Sequence, residues 1–333
     1  MSRRLKLMLT LLAAAMTGSV AVANDTIAEH AAGGLVLKQS ADIDMLSEDL
    51  FISADEVRVR YVFRNRAPQD VRVTVAFPLP DHDLVEDFYG DAAYPSGFAT
   101  RVDGRPVAME VEYRAFRNGT DQTARLAGLR LPIMYGAGGI AELESALSAL
   151  PKEERDGLVA LDLAEPVDEP AEGRRITPMW TVRETRFWEQ TFPAGRDLVV
   201  EHSYRPGTGQ TTATGLAHPE YLRGEGRQAM IDRYCLDDAF LAAVDRGTRQ
   251  AGGDQPAYSE QWVSYILSTG ANWRSPIGDF RLVVDKGDPS HLVSFCGEGV
   301  RKIGPTRFEV RHRNWRPTRD LHILILRPIR PSG

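Results

Sequence analysis

Val57-Arg58-Val59-Arg60-Tyr61-Val62-Phe63-Arg64 alternates: its odd positions are apolar, and its even positions are arginine except Val62. Val71-Arg72-Val73-Thr74-Val75-Ala76-Phe77 again places large apolar residues at odd positions. A side-chain period of two belongs to strands with one face on a core and the other in water. The polar, proline-containing link at 65–70 predicts that the two runs pair as an antiparallel hairpin. Asp103-Gly104 predicts a type I′ turn joining residues 98–102 to the alternating Val107, Met109, Val111 and Tyr113. The expected fold is mainly β, with antiparallel β-sandwich-like units and a helical insertion.

Outward from this stretch the pattern changes. Glu142, Leu143, Leu147 and Leu150 fit a helix that Pro151 ends, or after which it begins the next, and residues 156–164 can hold another. Residues 151–173 carry eight acids and two bases, which reads as a solvated acidic surface. Strand signals resume at Trp180-Thr181-Val182 and continue through Leu198, Val200, His202 and Tyr204. The Gly- and Thr-rich segment 205–216 reads as a long loop. Asp237 or Asp238 can cap a helix through Val244. Strand-like runs then follow at 262–268, 280–284, 291–295, 308–312 and 321–326. The expected division is 24–122, an N-terminal β-sandwich region; 123–178, the helical acidic insertion; 179–225, a β segment completing the first unit; and 226–333, a C-terminal β-rich unit with one leading helix.

Arg3, Arg4 and Lys6 precede an apolar run at 7–20, and Ala21-Val22-Ala23 has the small-x-small form of a cleavage site. Residues 1–23 therefore read as a secretory signal peptide cut after Ala23, which places the protein in the periplasm or outside the cell. Its removal takes away three bases and no acid, carrying the formal net charge from -6 to -9 and giving no support to nucleic-acid binding. Charges interrupt every later apolar run, so no membrane span is expected. In an oxidising compartment Cys235 and Cys296 predict one structural disulfide.

Residues 28–35, Ser47-Glu48-Asp49-Leu50-Phe51-Ile52-Ser53, Val75-Ala76-Phe77-Pro78-Leu79-Pro80, 187–195, and 265–284 with Thr269-Gly270-Ala271-Asn272-Trp273 resemble DUF4424, a bacterial family of exported proteins of unknown function. The resemblance implies export and brings no catalytic or binding residue with it. Strand, Asn turn, strand, Phe77-Pro78-Leu79-Pro80 and a Gly-turn hairpin also look like the opening of the VIT domain of extracellular-matrix-associated proteins. That resemblance implies a sandwich and an interaction module.

None of the seven histidines has HExxH, HxH or Cys/His spacing, so neither a metal nor a cofactor is expected. Asp81-His82-Asp83 is the best local cluster and reads first as a solvated turn. His202 sits in the apolar register of its strand, where a structural histidine is the default and a general base the sharper alternative. Gly207-Thr208-Gly209-Gln210-Thr211-Thr212 lacks the lysine of a phosphate loop. Trp180, Phe187, Trp188, Trp262 and Trp273 read as core anchors ahead of a sugar-stacking platform. Residues 301–330 hold nine Lys or Arg against two acids. Arg307, Arg311, Arg313 and Arg316 there read first as the solvent face of an edge strand, which discourages edge-to-edge pairing. The sharper alternative is a patch that grips an anionic glycan, a lipid headgroup or an envelope protein partner. The expected function is that of a non-enzymatic binding or accessory module. The alternative is a periplasmic hydrolase of an envelope or extracellular polymer, using His202, or His82 with Asp81.

Overall fold

The computed structural model describes residues 24–31, 34–85, 93–169, 173–216, 222–252 and 256–329. The expected signal peptide at 1–23 lies outside the described residues. Val57, Val59, Tyr61 and Phe63 are all buried, as the alternation requires. Their strand, Val57–Asn65, lies in an eight-stranded sheet of order Arg301–Lys302, Arg307–Trp315, Ile277–Asp285, Ile43–Ile52, Val57–Asn65, Asp197–Arg205, Ser96–Val102 and Arg105–Val107. A seven-stranded sheet runs Thr120–Asp121, Glu110–Arg117, Thr181–Phe192, Val71–Pro78, Thr26–Ala31 and Gly34–Lys38, with His82–Asp83 also beside Thr181–Phe192. A four-stranded sheet runs Thr208–Thr211, Tyr258–Tyr265, Leu321–Pro328 and Leu292–Phe295.

One core joins all three. It takes Leu50, Ile52, Phe63 and Val200 from the eight-stranded sheet, Phe77, Trp188 and Phe192 from the seven-stranded sheet, and Tyr265, Ile323 and Ile325 from the four-stranded sheet. The far side of the four-stranded sheet is covered by the helices Gly224–Tyr234 and Asp238–Gln250, through Tyr234, Phe240, Val244, Leu324 and Leu326. Asp237 caps the second helix by accepting from the Phe240 amide at 2.7 Å. The fold is thus mainly β, several antiparallel sheets packed with helices, as the alternation predicts.

Local periodicity proves a better guide than pairing. Val57–Asn65 and Val71–Pro78 do not form a hairpin; they lie in different sheets, facing each other across the core. The link between them is a crossover organised by buried Asn65, whose side-chain amide donates to the carbonyls of Gln69 at 2.8 Å and Phe192 at 2.9 Å. The Asp103-Gly104 turn does form, with φ of 48° and 76°, as a two-residue I′ turn needs. The paired strand, however, ends at Val107, and the run re-emerges as Glu110–Arg117 in the other sheet. Segment 205–216 is not all loop, since Thr208–Thr211 pairs with Tyr258–Tyr265. Gly209 lies flat beneath Trp262 there, and a Cβ would come within 2.1 Å of the indole.

Ile277–Asp285 pairs parallel with Ile43–Ile52, so the eight-stranded sheet runs across the expected 225/226 division. A bulge at Leu46 permits this register, and Gly278 accommodates it, because a Cβ would meet the Leu46 carbonyl oxygen at 2.5 Å. The 123–178 segment folds as the helices Thr123–Gly128, Ile140–Ala149 and Lys152–Ala160 and a hairpin of Ala164–Glu169 with Gly173–Pro178. The second expected helix therefore starts at Lys152 rather than 156, directly after Pro151. These elements bury Leu126, Leu143, Leu147 and Leu158 with Trp180 and Val182 in a core of their own.

Cys235 and Cys296 are joined by a disulfide. It ties the turn between the two helices to the end of Leu292–Phe295, the edge strand of its sheet. Closing a 61-residue loop stabilises by about 4 kcal/mol on the chain-entropy account. Among the described residues no helix is long and apolar enough to cross a membrane.

Candidate functional site

His202 points into the core. Its Nε2 lies 3.0 Å from Asp25 Oδ1 and its Nδ1 lies 2.9 Å from Thr100 Oγ1. The His202 and Asp25 side chains are both 0% exposed. Phe77 and Trp188 pack on the ring at centroid distances of 4.7 and 5.7 Å. Both nitrogens are thus engaged behind aromatic walls. His82 pairs in register with Val182, and its ring meets Tyr94 edge-on at 5.0 Å. Asp81 forms a two-pronged ion pair with Arg183 at 2.9 and 2.8 Å. The structure therefore does not bring His202 together with His82 and Asp81. Trp180, Phe187, Trp188 and Trp273 are buried, and Trp262 packs on Gly209, so these aromatics serve as anchors.

The C-terminal arginines separate into two groups. Arg316 donates to the Ala271 carbonyl at 2.7 Å and is occupied in bracing the backbone. Arg307, Arg311 and Arg313 stand on the outer, core-averted side of the eight-stranded sheet, where strand order adds partners from far away in sequence. Arg311, Arg281, Asp49, Arg60, Glu201 and Arg101 are consecutive register partners, forming one row across six strands. Arg281 bonds Asp49 at 3.1 Å, and Arg60 lies 3.8 Å from Glu201. Beside the row, the Arg58 and Arg307 guanidiniums lie 4.7 and 5.8 Å from the centre of the Phe51 ring. Val283 and Ile303 extend this apolar strip, and the whole forms an open groove of about 520 Å³. Its lining holds five arginines, Arg58, Arg60, Arg101, Arg281 and Arg307, against Asp49 and Glu201.

Glu309 anchors one side of the groove. Arg281 bonds it at 2.9 Å, Arg301 at 2.6 Å, and Arg311 approaches to 3.2 Å. These bonds, that of Arg281 first, hold its carboxyl down at about 2. Glu309 thus stays charged and keeps three guanidiniums aligned.

Two other places carry chemistry. A cleft of about 560 Å³ opens between the eight- and four-stranded sheets, lined by Phe280, Leu282, Val293, Phe308, Val310 and Trp315, with Arg319 and Asp320 also in its wall. Ser264 Oγ lies 2.9 Å from His322 Nδ1, a pair the sequence reading missed because 58 residues separate its members. Burial, then the charge of Arg233, pushes the His322 ring down to about 4. Ser264 borders a space of only about 130 Å³ shared with Asp81, His82 and Arg233. Among the described residues no group of three or more His, Cys, Asp or Glu is placed to hold a metal ion.

The interior holds a polar cluster that no sequence signal marked. Asn24, Asp25 and Glu48 are at most 1% exposed. Asn24 Nδ2 donates to Glu48 Oε2 at 3.0 Å, the Trp273 indole donates to the Asp25 carbonyl at 2.8 Å, and the hydroxyls of Tyr61 and Tyr265 meet at 2.9 Å. Burial pushes the Glu48 carboxyl up to about 8 and raises that of Asp25.

A family model described as "Domain of unknown function (DUF4424)" matches residues 23–324. No curated protein matches the chain. Among solved structures, the chain is similar to one described as a "putative nutrient binding protein" from Legionella pneumophila subsp. pneumophila. The two are 15% identical, the match covers 92% of this chain and 70% of that one, and the TM-score is 0.44.

Proposed function

The chain belongs to the DUF4424 family of domains of unknown function, and from that premise we propose that it is an exported envelope protein that binds rather than transforms. Its ligand is anionic, carrying the carboxylates or phosphates of an envelope glycan or a lipid headgroup. The observation that carries this reading is the six-strand row with the arginine-flanked Phe51 beside it. Guanidinium forks match carboxylate and phosphate geometry and bind it by paired hydrogen bonds. Here they project from paired strands rather than loops, so their spacing is held by the sheet. Phe51, Val283 and Ile303 supply the apolar floor that a sugar ring or acyl stem needs. The acids in and beside the row, Glu201 on Arg60, Asp49 and Glu309 on Arg281, Asp285 on Arg307 and Glu56 on Arg58, hold the arginines apart and aligned.

The competing hydrolase reading needs a base that meets solvent. His202 is sealed, and Asp81 is taken up by Arg183. The Ser264–His322 pair lies beside too little space for a polymer.

The test is titration calorimetry of the purified protein with oligogalacturonate and, separately, with inorganic phosphate, at low and at physiological salt. Binding that weakens with salt, and by about tenfold or more in Arg60→Ala and Arg281→Ala, is expected. Heat signals indifferent to both substitutions would sink the proposal.

A further inference from the structure

Buried acceptors without donors are rare in folded proteins, and each one asks for an explanation. Here three lie on neighbouring groups: Asn24 Oδ1, Asp25 Oδ2 and Glu48 Oε1 have no hydrogen-bond partner. The surroundings are rigid. Residues 24–26 are 0% exposed, Asn272 donates to Thr26 Oγ1 at 3.1 Å, and Gly270 is so close that a Cβ would sit 2.8 Å from Asn24 Nδ2. Among the described residues no lysine or arginine is bonded to either acid, and His202 bonds Asp25 but not Glu48. An unpaired carboxylate is strongly disfavoured in such a place, so the cluster lacks one donor-rich, positively charged partner.

The sequence supplies that partner. Asn24 is the residue immediately after the expected cleavage site. Hydrolysis of the Ala23–Asn24 amide by a signal peptidase adds water across the bond, leaving a carboxylate on Ala23 and an ammonium group on Asn24. The Asn24 side chain already bonds Glu48, and a residue's own backbone nitrogen is within about 5 Å of its side-chain amide. We propose that Glu48 and Asp25 form a closed acceptor site for the α-ammonium group created on Asn24 by cleavage after Ala23. This rests on the export reading given above. The ammonium then supplies the missing positive charge between the two carboxylates, and its three N–H donors face the three open acceptors. The uncut chain offers only one amide N–H at the same place and no charge. Cleavage therefore completes the interior of the fold, which links maturation to stability.

The experiment uses the full chain, expressed with its own leader in a Gram-negative host and purified from the periplasm. N-terminal sequencing is followed by a pulse of an amine-reactive ester, applied to the native protein and to the urea-unfolded protein. The expected first residue is Asn24. Its α-amine is expected to label at least about tenfold more slowly in the native state, because a pairing worth one pKa unit removes nine-tenths of the free amine. Glu48→Gln keeps the shape, removes the counter-charge and is expected to raise the native labelling rate several-fold. Should Glu48→Gln fail to fold, the native-to-unfolded ratio of the wild type decides. A chain beginning elsewhere overturns both this proposal and the cleavage reading. A chain beginning at Asn24 whose α-amine labels equally fast folded and unfolded overturns this proposal alone.

Discussion

The two faces of the eight-stranded sheet treat charge in opposite ways. The outer face spreads arginines and acids across six strands in water, where each pair contributes little to stability and the pattern is free to serve binding. The inner face carries Glu48 and His202, which with Asp25, at the start of the facing sheet's strand Thr26–Ala31, are sealed from solvent, where each charge must be matched or neutralised. One sheet therefore carries a replaceable array on one side and an irreplaceable cluster on the other. The cost of losing a residue follows the face it occupies, not the number of bonds it makes.

That contrast can be broken by substitution. Asp25→Ala strips His202 of its buried partner and is expected to cost about 3–5 kcal/mol, read from urea unfolding. A loss under 1 kcal/mol would place Asp25 in the outer-face class. Glu309→Gln lies between the classes, because Glu309 stands on the outer face yet is only 5% exposed beneath its three arginines. Its loss is expected to cost about 1.5–3 kcal/mol. The Glu309 carboxyl is lowered in the folded state, so its contribution is present above about 4.5 and lost as pH falls towards 2. Thermal melts across that window should show a steeper fall for the wild type than for the variant. Arg60→Ala is expected to change stability by about 0–1 kcal/mol while weakening anion binding about tenfold.

His322 sharpens the same point on the third sheet. Its ring is held neutral down to about 4, against 6.5 when unfolded, so stability should decline as pH falls from 6.5 towards 4. His322→Gln should flatten that limb of the melting profile. An unchanged limb would show that the Ser264 bond is indifferent to the proton.

How much of this was legible depends on distance along the chain. The buried faces at Val57–Phe63 follow from alternation, a property of neighbouring residues. Their pairing does not, because a six-residue link serves equally as hairpin loop or sheet crossover. The choice was made by Asn65 reaching Phe192, 127 residues away. Arg58 and Arg60 were visible as a polar face, but the row they join exists only because Arg281 comes to lie beside Asp49 from 232 residues downstream. The Asp237 cap and the disulfide were readable because each rests on a local rule or a single pair. Glu48 and Asp25 carried no signal at all: an acid in a strand reads as outward-facing, and the register after the bulge at Leu46 turned Glu48 inward, while Asp25 lies just ahead of its strand and is buried by the facing sheet.

The parallel seam between Ile43–Ile52 and Ile277–Asp285 has a consequence for how the molecule is made. A polypeptide emerging from its N-terminus exposes Ile43–Ile52 long before its neighbour exists, with one row of backbone groups open to any extended segment that passes. Contacts so widely separated form slowly, because the intervening chain must first be ordered. Holding that early strand apart from wrong partners is thus a task for the cell rather than for the sequence. A chain truncated before residue 277 would keep the open seam permanently.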